Sequence, residues 1–99
     1  MDITKTSLFD SFWDVVVILQ TIEHVPNIWD LSAELYRIVK SQGFVIVDSP
    51  WNFPIHKEDD FGDYYRFTCD GLKQLFGDYF IVDSAIQTDY NSSVLLRKS

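Results

Sequence analysis

Two short runs of β-branched residues constrain this chain more than any other feature. Trp13-Asp14-Val15-Val16-Val17-Ile18-Leu19 and Phe44-Val45-Ile46-Val47-Asp48 are nearly unbroken apolar segments. Both are short for a helix, and neither alternates polar with apolar as a strand with one wet face does. They suit strands covered on both faces, as in a parallel sheet. Between them, Ile28, Leu31, Leu35, Ile38 and Val39 recur at helical spacing, leaving Asp30, Ser32, Glu34, Arg37 and Lys40 for the wetter side. Asn27, after Pro26, is placed to cap that helix, and Asp30 suits its first turn. Gly43, after Ser41-Gln42, is a natural stop. Strand, helix and strand within roughly 35 residues make a βαβ unit, its strands parallel and its crossover right-handed.

Residues 49–67 read as a long loop, a kind that is usually functional or disordered. Trp51, Phe53, Tyr64, Tyr65 and Phe67 make it too aromatic for a disordered linker. Thr68 is expected to cap a short helix over 70–76, with Leu72, Leu75 and Phe76 on its apolar face and Gly77-Asp78 ending it. Residues 79–86 and 93–97 read as strands joined through the turn chemistry of Asp89-Tyr90-Asn91-Ser92, an antiparallel hairpin. Residues 1–11 are polar, without period, and read as a loop or edge segment. The expected fold is α/β, with residues 1–99 as one domain. Its mixed four-stranded sheet has the order 13–19, 44–48, 93–97, 79–86, and the C-terminal strand is antiparallel to its neighbours.

Composition narrows the partners. The formal net charge is −7, and the longest cationic run is Arg97-Lys98. An acidic field without a basic stripe excludes nucleic acid and anionic membrane as primary partners. The longest apolar run, 15–19, is too short to cross a bilayer, and no signal-peptide apolar core precedes it. One cysteine, Cys69, permits no internal disulfide and fits a reducing, cytoplasmic setting.

Several segments resemble those of a known family. Trp13 to Val17 followed by Thr21-Ile22-Glu23-His24-Val25-Pro26 resembles the "FDvVv…lEHv" signature of class I S-adenosylmethionine-dependent methyltransferases, on their fourth strand and the loop beyond. Glu34 to Gly43 is similar to their "E-x-x-R-v-L-K-P-G-G" segment, with Ser41-Gln42 standing where Pro-Gly is usual. Ser49-Pro50, His56 and Asp63-Tyr64-Tyr65-Arg66-Phe67-Thr68 resemble the "P…H…D-Y-[YW]-R-F-T" loop of one subgroup. Asp2-Ile3-Thr4 resembles the Asp after the third strand. The resemblance is to the C-terminal half of the domain (methyltransferase type 11/23-like) and implies a truncated Rossmann-like, three-layer fold. The glycine-rich cofactor loop has no counterpart, because Gly43, Gly62, Gly71 and Gly77 stand too far apart to build it.

The resemblance implies S-adenosylmethionine as cofactor, with Leu19 and Gln20 passing beside it and Asp2 accepting from its adenine amino group. Ligands of open α/β sheets bind at the carboxyl ends of strands. There Leu19, Gln20, Thr21, Glu23 and His24 face Ser49, Pro50, Trp51 and Asn52. His24 and His56 are candidate bases or loop histidines. Asp63 is a candidate catalytic group or the ion-pair partner of Arg66. Trp51, Asn52, Tyr64, Tyr65 and Arg66 are candidate substrate contacts. Glu23, His24, His56, Asp59 and Asp60 match no metal-ligand spacing, and no metal is expected. Two functions stay open. One is a methyltransferase fragment or remnant, inactive alone. The other is a non-catalytic binding or oligomerisation module that keeps the fold. In either case an uncovered sheet edge calls for a homodimer or a complementary chain.

Overall fold

The computed structural model describes residues 2–55 and 62–99. Four strands form one sheet: β1 (Trp13–Leu19), β2 (Val39–Pro50), β3 (Ile81–Gln87) and β4 (Asn91–Arg97), in the order β1-β2-β4-β3. β1 pairs β2 in parallel, from Val15 opposite Phe44 to Leu19 opposite Asp48. β4 runs antiparallel to β2 on one side and to β3 on the other. Direction and order both match the expectation from sequence.

The βαβ helix is shorter than its apolar period suggested. α1 spans Leu31–Ile38, preceded by a single 3₁₀ turn at Ile28–Asp30. Val39 already belongs to β2, opposite Trp13, and the register slips by several residues before Phe44 meets Val15. Gln42 sits in this slip at φ 68°, and Gly43 falls inside the strand instead of stopping the helix. A Cβ at Gly43 would come within 2.8 Å of the carbonyl oxygens of Asp14 and Lys40, which explains glycine there. The last turn of α1 is capped from far along the chain. The Lys98 ammonium donates to the carbonyls of Tyr36 (2.7 Å) and Val39 (2.9 Å) and lies over the Tyr36 ring.

Two assignments around α1 need correcting. Asn27 makes no side-chain cap; its Nδ2 donates to Thr4 Oγ1. Ser32 and Glu34 are buried, although the helical period placed them on the wetter side. Glu34 is held there by the Arg37 guanidinium at 2.8 and 2.9 Å and by the Thr6 amide and hydroxyl. Arg37 in turn binds Asp10 and the carbonyl of Leu8. The N-terminal segment is thereby laced onto the helix. α2 spans Cys69–Phe76, and Thr68 Oγ1 accepts from the Gly71 amide as an N-cap should.

Both helices cover the same face of the sheet. Val45, Val47, Val94 and Leu96 project into that side and are at most 2% exposed, packed with Leu31, Leu35, Leu72 and Phe76. On the opposite face Val15, Val17, Leu19, Ile46 and Ile86 stay exposed. Among the described residues no third layer covers them, although the apolar runs had suggested cover on both faces. Among the described residues no helix is long and apolar enough to cross a membrane.

Candidate functional site

Because β1 and β2 run parallel, their carboxyl ends open at the same end of the sheet. The Gln20 amide donates to the Asp48 carbonyl (2.8 Å), one last rung beyond β1. Gln20 itself takes φ 51°, a left-handed conformation unusual for a residue with a Cβ. It turns the chain sharply into a single 3₁₀ turn, Ile22–His24. That turn sinks Ile22 into the core and buries Glu23 beside it.

Two cavities flank this end, and Gln20 lines both. The first, about 460 Å³, is walled by Asp2, Ile3, Gln20, Thr21, His24 and residues 25–27. Asp2 accepts from the Thr4 hydroxyl and amide on Oδ1, and these bonds hold its carboxyl below the ordinary carboxylate range. An anionic acceptor therefore stands beside apolar Ile3. Leu19 lies outside this space, in a separate apolar groove along β1 with Ile3, Val17 and Leu35. Of the three residues assigned to the cofactor, Asp2 and Gln20 come together and Leu19 stands next door.

The second cavity, about 370 Å³, is walled by Gln20, Glu23, Pro50, Phe53, Asp63 and Arg66. Arg66 grips Asp63 with both terminal nitrogens, at 2.5 and 2.8 Å, and Asp63 is almost wholly buried. Asp63 raises the pKa of the guanidinium further. Arg66 also donates to the carbonyls of Phe53, Pro54 and Tyr65, so one side chain ties both arms of the long loop together.

The returning arm is fastened to the 3₁₀ turn as well. The Tyr64 amide donates to the Glu23 carbonyl (2.8 Å), and His24 Nδ1 donates to the Gly62 carbonyl (2.5 Å). His24 Nε2 lies 3.5 Å from Glu23 Oε2.

The other assigned residues are scattered. Trp51 and Asn52 border a third hollow with residues 87–90, on the hairpin side. The Tyr65 hydroxyl donates to the Pro26 carbonyl while its ring packs on Phe67 and against the core. Tyr64 is half exposed. His56 lies outside the described residues.

Sequence reasoning placed Glu23 in the crevice wall but gave it no role. The structure makes it the most unusual group there. It is 2% exposed, and its Oε1 has no hydrogen-bond partner among the described residues. Nothing in the residue types signals this burial; it follows from Ile22 anchoring the turn on one side and the loop closing over the other.

The first cavity suits the adenine end of S-adenosylmethionine, since an acceptor and an apolar wall are what an aminopurine ring needs. The methionine end has no such fit, because the 99 residues hold no glycine-rich turn.

Residues 1–47 match the family model of the methyltransferase domain. No curated protein matches the chain. Among solved structures, a protein from Pyrococcus horikoshii OT3 superposes with a TM-score of 0.78 at 14% identity, over all of this chain and 57% of its own. An S-adenosylmethionine-dependent methyltransferase from Methanosarcina mazei gives 0.75 at 14% identity, over 99% of this chain and 65% of its own. The Burkholderia thailandensis 1,6-didemethyltoxoflavin N1-methyltransferase, with bound 1,6-didemethyltoxoflavin and S-adenosylhomocysteine, gives 0.79 at 12% identity, over 98% and 48%. The chain thus spans from about half to about two thirds of the length of the structures it matches. At these identities the likeness is one of fold: the chain has the class I methyltransferase-like fold, in the order of strands read from its sequence.

Proposed function

We propose that this class I methyltransferase-like chain forms the adenine-side and acceptor-side walls of an S-adenosylmethionine-dependent methyltransferase site. One observation carries the reading: two cavities meet at the carboxyl ends of a parallel strand pair and share Gln20 as their common wall. Methyl transfer requires donor and acceptor in adjoining spaces, held in line. S-adenosylmethionine supplies a methyl group already activated on a sulfonium, so the protein's task is chiefly to position and to exclude water.

Asp2 accepts from the adenine amino group, and Gln20 separates the two spaces. The Asp63–Arg66 pair holds the loop that closes the acceptor side, an orienting role. His24 has Nδ1 committed to the Gly62 carbonyl, so any proton it handles passes through Nε2. Tyr65 fixes the loop to Pro26, Tyr64 stands half exposed beside it, and Trp51 and Asn52 line the separate hollow on the hairpin side. His56 is a second candidate base in the same loop. The turn that would cradle the methionine portion must come from outside these 99 residues, and the chain alone is therefore inactive. We place it in the cytoplasm, as one domain with a complementary chain or a second copy along β1.

Isothermal titration of the chain with S-adenosylmethionine tests this. Saturable binding held at the adenine end only, tightening to micromolar when the complementary chain is supplied and weakened by Asp2→Asn, is the expected result. Absence of binding at millimolar cofactor would leave the other reading, a non-catalytic association module, which the bare apolar face of the sheet favours.

A further inference from the structure

We infer that Glu23 anchors a subsite for a ligand that presents a cationic nitrogen on an apolar body. The inference deepens the acceptor side of the reading above and rests on it only for the word acceptor.

A buried carboxylate oxygen without a hydrogen-bond partner is costly, because it has given up water and gained nothing. Such atoms are rare in folded proteins and each calls for a specific explanation, an absent ligand among them. Among the described residues Oε1 of Glu23 is of this kind, while Oε2 faces His24 Nε2. The carboxylate stands in the wall of a cavity of about 370 Å³, within the range of small-molecule sites.

The sign of charge follows from what surrounds it. Among the described residues Arg66 is the cation lining that wall, and both of its terminal nitrogens are taken by Asp63 and loop carbonyls. Among the described residues the wall carries the Glu23 carboxylate beside the Asp63–Arg66 pair, inside a chain of net charge −7. An anionic ligand would meet repulsion there, and a neutral hydroxyl could donate to Oε1 but would leave its charge unanswered. An ammonium group satisfies both the charge and the bare oxygen. Pro50 and Phe53 supply the apolar contact for the rest of such a ligand.

Oε1 is closed to water in the unliganded wall, so the donor reaches it when a neighbouring side chain moves aside. Gln20 and Phe53 are the exposed members of the wall; Phe53 is 55% exposed and sits on the loop.

Benzylammonium is a suitable probe, with benzyl alcohol and benzoate as its neutral and anionic counterparts. Nuclear magnetic resonance of the chain, with the Glu carboxyl carbons labelled, reads the site directly. Benzylammonium is expected to move the Glu23 carboxyl resonance and the amides of Gln20 and Phe53 in a saturable way. Benzyl alcohol should bind about ten-fold more weakly and benzoate not at all. Glu23→Gln should weaken benzylammonium about ten-fold while leaving benzyl alcohol unchanged. If Glu23→Gln does not fold, the wild-type carboxyl resonance decides alone. Equal binding of the three probes, or a Glu23 resonance that ignores benzylammonium, overturns the inference. Benzylammonium binding through Glu23 in a chain that ignores S-adenosylmethionine would uphold the subsite and defeat the methyltransferase reading. Cofactor binding with no ammonium response would do the reverse.

Discussion

The two faces of the sheet are written in the same residues and meet opposite fates. Val45, Val47, Val94 and Leu96 lie under two helices and see almost no water. Val15 and Val17, from an equally apolar run, are 49% and 54% exposed. A β-branched run therefore reports that a strand will be covered, without saying whether its own chain supplies the cover. The covered face holds the fold together; the bare face is apolar area still to be removed from water.

Substitutions on each face should separate these roles. The largest effect is expected from Phe76→Ala, which empties a fully buried position under the covered face. It should cost about 4 kcal/mol in a urea unfolding curve, enough to leave a chain of this size barely folded.

Next comes Glu34→Gln, at the rim of the same face, with an expected loss of about 2 kcal/mol. Arg37 first, then the Thr6 bonds, hold the Glu34 carboxyl down to about 2, against an ordinary value of 4.5. Its ionised form is thus favoured by folding. The stability it adds is complete above pH 4.5 and is lost as the pH falls toward 2. The wild-type unfolding free energy should fall across that interval, and the variant should show a shallower decline.

The smallest effect belongs to the bare face. The double change Val15→Thr and Val17→Thr keeps β-branching and should shift stability by no more than about 0.5 kcal/mol. Sedimentation of the same variant should show less self-association than wild type if a second copy covers this face. A loss of several kcal/mol in dilute monomer would break the comparison, because it would mean that the face is already packed.

The contrast also shows what a reader of the sequence can and cannot see. The parallel pair, the hairpin and the Thr68 cap were legible, because β-branched runs, turn residues and capping hydroxyls act over a few positions. The family resemblance of residues 13–26 pointed to the fold that the whole chain adopts. The early end of α1 was not legible. Val39 continues the helical period, yet it pairs with Trp13 across the sheet, a long-range contact that overrides local spacing. Ser32 and Glu34 looked solvent-facing because their cover comes from elsewhere, for Glu34 from Thr6 and Asp10 by way of Arg37. At the site, the Asp63–Arg66 pair was readable from its three-residue spacing. The burial of Glu23 depends on how a turn and a distant loop come together around it, which no local pattern records.

The sheet order has a consequence for assembly of the molecule. β4 lies between β2 and β3, so among the described residues β3 takes its strand neighbour from residues that follow it in sequence. Until 91–97 are in place, β2 has one vacant flank and β3 has nothing to pair with. Zipping β4 into that slot joins both halves of the sheet in one step and brings Lys98 onto the end of α1. A chain in which that step has not occurred would carry both of these flanks unpaired, and its susceptibility to proteases should drop once 91–97 pair.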